Sequence, residues 1–147
     1  HTNDAPSTID RLLDMGVESF LISSALKGVI SQRLVRRICP NCRTEYVASE
    51  EEQRMLHMQY VPGRKFYKGK GCPLCFNTGY RGRTAVCEIL TLTAPIKHAI
   101  ADNVPHSELM RLIEESDFEP LINDCVKLVL NGTTTAEEAF RTVNSTD

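Results

Sequence analysis

Four cysteines have the types and spacing that carry chemistry. Cys39-Pro40-Asn41-Cys42 is followed, after twenty-nine residues, by Cys72-Pro73-Leu74-Cys75. Two C-x-x-C pairs are the sequence form of a four-thiolate zinc site, because a two-residue gap lets one tight turn aim two sulfurs at one ion. Proline after the first cysteine of each pair fixes the backbone where the turn starts. Four thiolates fill a tetrahedral zinc and leave no position for water, so the expected metal is structural. The spacer exceeds the usual fifteen to twenty or so residues, which predicts an insertion between the knuckles. The competing readings are two disulfides or a redox dithiol. A thiol–disulfide oxidoreductase needs one pair at the start of a helix, whereas both pairs here are expected in turns between strands.

Other reactive residues are sparse. Gly79-Tyr80-Arg81-Gly82-Arg83 could meet phosphate through backbone N–H groups and guanidinium forks, but its glycines are expected to serve a hairpin turn, with the arginines facing a partner. The phosphate loop G-x-x-x-x-G-K-[ST] is absent from the chain. His57, His98 and His106 are isolated and expected at the surface, and Cys87 and Cys125 lie in apolar contexts expected to bury them.

The 147 residues suffice for one domain or two small ones. Net charge is −2, unevenly spread: residues 27–83 carry twelve basic and four acidic residues, and the remainder five basic and fifteen acidic. A basic middle between acidic ends is either a solvated face or a surface for an anionic partner. No apolar run approaches the eighteen or so residues of a membrane helix, so no direct membrane insertion is expected. The polar start, with Asp4 and Asp10, does not resemble a signal peptide. A reducing, cytoplasmic setting is expected, which favours metal over disulfides for six cysteines. The opening at His1, without a start methionine, reads as the boundary of a fragment.

Elements follow from caps and periodicity. Ser7-Thr8 is expected to cap a first helix ending at Gly16, and a second helix is expected from about Val17 to Ser31, with Gly28 and Val29 on its small packing face. Gln32–Ile38 reads as a strand into the first knuckle. Ser49 with Glu52 is a capping box, predicting an inserted helix to about Met58. Phe66-Tyr67-Lys68 and Thr84–Leu92 read as strands. Four closing helices are expected, opened by Thr93 with Pro95, by His106, by Pro120 and by the Thr135–Glu138 box. They read as a small orthogonal helical subdomain.

His1-Thr2-Asn3-Asp4-Ala5, Asp10-Arg11-Leu12-Leu13-Asp14-Met15-Gly16, Gln32-Arg33-Leu34-Val35-Arg36, the two C-P-x-C knuckles and Gly79-Tyr80-Arg81-Gly82-Arg83-Thr84 with Glu88-Ile89-Leu90 stand in one order. That set resembles the C-terminal end of the secretion ATPases, and more narrowly of the type II secretion and type IV pilus assembly ATPases. The resemblance covers nearly the whole chain. It implies an α+β fragment in three parts: 1–34 as tail helices of a RecA-like α/β ATPase core, 35–92 as a tetracysteine zinc-binding subdomain with short strands and an inserted helix, and 93–147 as a C-terminal helical subdomain.

The resemblance further implies a cytoplasmic homohexamer, peripheral to the inner membrane through partners, whose intact chain uses ATP and Mg²⁺ to drive pilus assembly or secretion through an inner-membrane platform protein. It places His1 near the nucleotide γ-phosphate and Cys39, Cys42, Cys72 and Cys75 at the zinc. Related retraction ATPases generally lack that site, which points to the extension or secretion branch. Arg33, Arg36, Arg37, Arg81 and Arg83 are the candidates for subunit or nucleotide contact. Without phosphate loop or Mg²⁺ box, this fragment alone is expected not to hydrolyse ATP, so none of its own residues is assigned a catalytic role. The alternative is a stand-alone zinc-ribbon module binding nucleic acid, supported by Tyr60, Phe66, Tyr67 and Tyr80 among basic residues. The acidic whole chain and the lack of a basic helix face argue against it, and no nucleic-acid partner is expected.

Overall fold

The computed structural model of the chain describes residues 1–145. They form seven α-helices and two small sheets: α1 (Ala5–Asp14), α2 (Ser19–Ala25), β1 (Gly28–Ile38), β2 (Arg43–Val47), α3 (Glu50–Met55), β3 (Lys65–Gly69), β4 (Tyr80–Thr91), α4 (Ala94–Ala101), α5 (His106–Glu114), α6 (Leu121–Leu130) and α7 (Ala136–Asn144). A 3₁₀ turn, Pro73–Cys75, precedes β4. The architecture is α+β, and no helix among the described residues is long and apolar enough to cross a membrane.

The described chain divides into two compact units. One comprises residues 1–31 and 87–120, the other 32–86 and 121–145. In the first, Ile9 of α1, Ile22 of α2, Leu90 and Leu92, Ile96 and Ile100 of α4, and Leu109 and Ile113 of α5 form one apolar core. In the second, Val35, Leu56, Phe66, Val86, Leu121, Cys125, Val129 and Ala139 form another. Phe66 is fully buried, and its ring meets Tyr46 edge-on with centroids 6.4 Å apart. The closing helices are therefore shared: α4 and α5 pack in the first unit, α6 and α7 in the second. The expectation of one closing helical subdomain misses this, because nothing in the helix periodicity says which core an apolar stripe will meet.

Several local expectations change. Asp4 caps α1, its Oδ1 accepting from Ser7 N at 2.8 Å, while Pro6 occupies the first turn. Ser7-Thr8 lies inside the helix. The second helix stops at Ala25, and Gly28–Ile38 is one long strand. The β-branched Val29 and Ile30 favour that state, and Gly28 lets its backbone come close to the Leu90 carbonyl, 3.1 Å from where a Cβ would stand. β1 pairs with β4. Leu92 N donates to Lys27 O at one end of the ladder and Cys39 N to Gly79 O at the other, so the strands are antiparallel.

Gly82 makes no hairpin: β4 runs through it, and the turn lies earlier, between Cys75 and Gly79. The Ser49–Glu52 capping box is present, though its helix ends at Met55. β2, unforeseen in the sequence, pairs antiparallel with β3 from Arg43 opposite Gly69 to Val47 opposite Lys65. Thr135 caps α7 by accepting from Glu138 N at 3.0 Å, but the Glu138 side chain is used elsewhere, as described below.

Candidate metal centre

The first knuckle joins β1 to β2, and the second joins β3 to β4. The β2–β3 pairing, closed at its end by Lys70 N donating to Cys42 O at 3.1 Å, brings the two knuckles together. Gly69 and Gly79 let the backbones cross, since a Cβ on either would collide with the other residue. Gly79 has φ +80°, a conformation side chains resist, and its carbonyl accepts from Cys39 N at 2.9 Å. One backbone crossing therefore ties both knuckles.

The four sulfurs that result lie within 4.8 Å of one another. Cys39 and Cys72 Sγ are 3.8 Å apart, Cys42 and Cys75 3.9 Å, and Cys72 and Cys75 3.7 Å. Four sulfurs at about 2.3 Å from one tetrahedral ion would be separated by about 3.8 Å. The donor set therefore fits a single thiophilic ion. Cys39 and Cys75 are buried, and Cys42 and Cys72 half-buried.

A ring of backbone donors surrounds the sulfurs. Gly71 N donates to Cys42 Sγ, and Cys72 N and Gly79 N to Cys75 Sγ, each at 3.3 Å. Such bonds stabilise thiolate and orient ligands. Burial opposes ionisation of Cys75, yet the Gly79 and Cys72 donors and the neighbouring Cys72 and Cys42 sulfurs hold its thiol at about 6. The Asn41 side chain and nearby backbone donors likewise lower Cys72 against burial. Burial pushes Cys42 up to about 11 despite the Gly71 bond. Sequence reasoning missed the parts played by Asn41 and Gly79. The position of Asn41 inside its knuckle was a usable clue, but the crossing of Gly79 with Gly69 had none.

The five arginine candidates separate. Arg33 donates to the carbonyls of Thr142 and Ser145 at 2.9 and 3.0 Å. Arg36 donates to Glu138 through its backbone N and side chain, the closest contact being 2.9 Å, and stacks over Tyr80 at 4.1 Å. Glu138 is buried; burial works against its charge, but the Arg36 side chain and backbone bonds hold its carboxyl below the ordinary range. Arg33 and Arg36 thus act within their own unit. Arg37, Arg81 and Arg83 are exposed.

His1 is exposed, in the other unit. His57 and His98 are exposed, and His106, also exposed, pairs with Asp10 at 2.9 Å. Cys125 is buried, as expected, and Cys87 is half-buried.

Two knuckles bring four sulfurs together, and α3 lies between them in the chain. Residues 1–141 match the family model described as type II/IV secretion system protein, and the chain belongs to that family. It is 39% identical over 146 residues to the putative type II secretion system protein E of Escherichia coli K12, covering 99% of this chain and 29% of that protein. It is 42% identical over 142 residues to the type IV pilus assembly ATPase PilB of Thermus thermophilus, covering 95% and 16%. It is 36% identical over 141 residues to the type II secretion system ATPase E of Vibrio cholerae, covering 96% and 28%. The chain thus spans less than a third of the length of these relatives.

Proposed function

We propose that this chain is the C-terminal region of a motor ATPase that powers type IV pilus assembly or type II protein secretion, and that it supplies a structural zinc site and contacts to subunits or partners. The observation that carries the reading is the match over residues 1–141 to a family whose relatives are named as such ATPases. The four-sulfur pocket supports its zinc part, with Cys39, Cys42, Cys72 and Cys75 as ligands. Bound there, zinc would cross-link two knuckles distant in sequence and supply folding free energy, with no open position for chemistry.

The active assembly is a homohexamer in the cytoplasm, bound to the inner membrane through a platform protein. ATP and Mg²⁺ bind in a RecA-like core, toward which His1 contributes, and residues 1–34 belong with that core. Arg37, Arg81 and Arg83 face a neighbouring subunit or the nucleotide. Arg33 and Arg36 brace the zinc-bearing unit from within, consistent with their bonds to α7 and to the residue after it. Phosphoryl transfer needs a phosphate cradle, a metal and a positioned water, so the 147 residues alone do not hydrolyse ATP.

The test captures the native polypeptide from its source cell with an antibody to this region. The reading expects a mass several times 16.5 kDa, peptides from a phosphate loop, and ATP hydrolysis that the 147-residue chain lacks. A native mass near 16.5 kDa would contradict it and turn attention to a free zinc module.

A further inference from the structure

Unit charge is sharply partitioned. The unit of residues 1–31 and 87–120 holds four basic and eleven acidic residues, and the unit of residues 32–86 and 121–145 thirteen basic and seven acidic. The acidic unit contains a cavity of about 310 Å³ whose lining includes Asp4, Glu88, Glu114, Met110, Ile113 and Phe118. Its volume lies at the lower end of the roughly 300–1,000 Å³ typical of ligand pockets. Glu88 is buried, and its Oε1 accepts from Ala5 N at 2.6 Å. Asp4 is anchored as the α1 cap. Glu114 is exposed at the end of α5, and no cation pairs with it among the described residues.

Fixed carboxylates beside an apolar and aromatic wall suit one kind of guest, a long side chain with an apolar stem and a forked cationic head. Arginine meets each requirement: its stem packs on Met110 and Ile113, its plane can lie against Phe118, and its fork matches a carboxylate. The basic unit offers such a group. Arg81 and Arg83 are exposed on β4, with Arg37 beside Gly82, where a Cβ would stand 3.7 Å from Arg37 Cδ. None of the three has a carboxylate partner among the described residues.

We propose that a second copy of this chain docks here: the Arg81–Arg83 segment of one copy enters the Asp4–Glu88–Glu114 cavity of the next. The contact joins two different surfaces of the chain, the heterologous arrangement that can close into a ring or extend as a filament. It rests on the reading above that this region makes subunit contacts, and names the surfaces that make one of them.

The test uses the full-length native polypeptide, zinc-loaded, and follows assembly on dilution by sedimentation velocity. Glu114→Arg and the pair R81E/R83E change exposed side chains, and retained zinc and circular dichroism check the fold. Each is expected to weaken association roughly tenfold or more, as truncated interfacial charge pairs do. Mixing the two restores a contact, because the intact arginines of one meet the intact cavity of the other. The combined charge swap, E114R with R81E/R83E, regains association in one chain. Rising salt weakens the wild-type contact. Unchanged association in both variants, or a mixture no better than its components, overturns the proposal. A wild type that assembles and hydrolyses ATP while the variants do the same sinks the docking and leaves the motor reading standing. A wild type without ATP hydrolysis sinks the motor reading whatever the variants do.

Discussion

At the scale of single residues, the cysteines divide by what surrounds them. Cys39 is buried among three other sulfurs, whereas Cys125 is buried among the apolar residues of its unit, where burial pushes its thiol up to about 11. Cys39→Ser should therefore abolish zinc retention and unfold the knuckles, since such sites contribute roughly 10–16 kcal/mol in small zinc peptides. Cys125→Ser should keep the metal. Zinc analysis of the two purified variants checks this, and a zinc-loaded Cys39→Ser chain would contradict it.

Glu138 makes a different case. It is buried, and three hydrogen bonds tie it to Arg36. Its folded-state carboxyl lies below its ordinary 4.5, so its contribution is present in full above about that pH and fades as pH falls through the depressed value. Glu138→Gln should cost about 2 kcal/mol near neutrality and flatten the acid limb of the stability curve. Urea melts from pH 3 to pH 7 would show it; parallel pH profiles for both proteins would refute it. The four clustered cysteines are legible in the sequence because the spacing within each C-x-x-C pair is local. It assigned Glu138 to a capping box, because Arg36, 102 residues away, cannot be seen from helix grammar.

At the scale of elements, what could be read were caps and short strands, and what could not were long-range pairings. Ser49, Thr93 and Thr135 each precede a helix as expected, and Ser49 and Thr135 cap theirs through the side chain, whereas Thr93 makes no side-chain cap bond. Gly28 to Ser31, expected in the second helix, lies in β1, because the small apolar face of Phe20 to Val29 suits either state and pairing with β4 decides it. The glycines of the Gly79–Arg83 stretch are expected in a hairpin turn. One of them instead serves a backbone crossing and the other lies within a strand. The crossing gives a sharp expectation. Gly79→Ala combines a positive φ of +80° with a Cβ 2.6 Å from the Gly69 carbonyl oxygen. It should destabilise the second unit by more than about 1 kcal/mol and loosen the metal. Gly16→Ala has positive φ but nothing within 4 Å, and should spare the metal. Competition with a chromogenic chelator separates the two, and equal zinc affinity in both variants would count against the crossing.

For the whole molecule, two separate cores predict two responses. The sulfurs belong entirely to the unit of residues 32–86 and 121–145, while the other core contains no ligand of the site. Chelation should therefore expose amides of β2, β3 and the knuckles to hydrogen exchange while α1, α4 and α5 keep their protection. Uniform loss of protection across both units would show instead that the metal holds the molecule as one. The charge partition belongs to this scale too. It was visible as a basic middle and acidic ends, but only the fold shows that the acidic ends contribute to both units, with α6 and α7 joining the basic one.

On the proposed reading, Cys39, Cys42, Cys72 and Cys75 hold one structural zinc. X-ray absorption at the zinc edge, with metal content measured on the same native protein, tests it most directly. One zinc per chain with four sulfur neighbours at about 2.3 Å and no oxygen or nitrogen ligand is the predicted result. A chain free of zinc, or a zinc with a water among its nearest neighbours, would rule out a four-thiolate structural site.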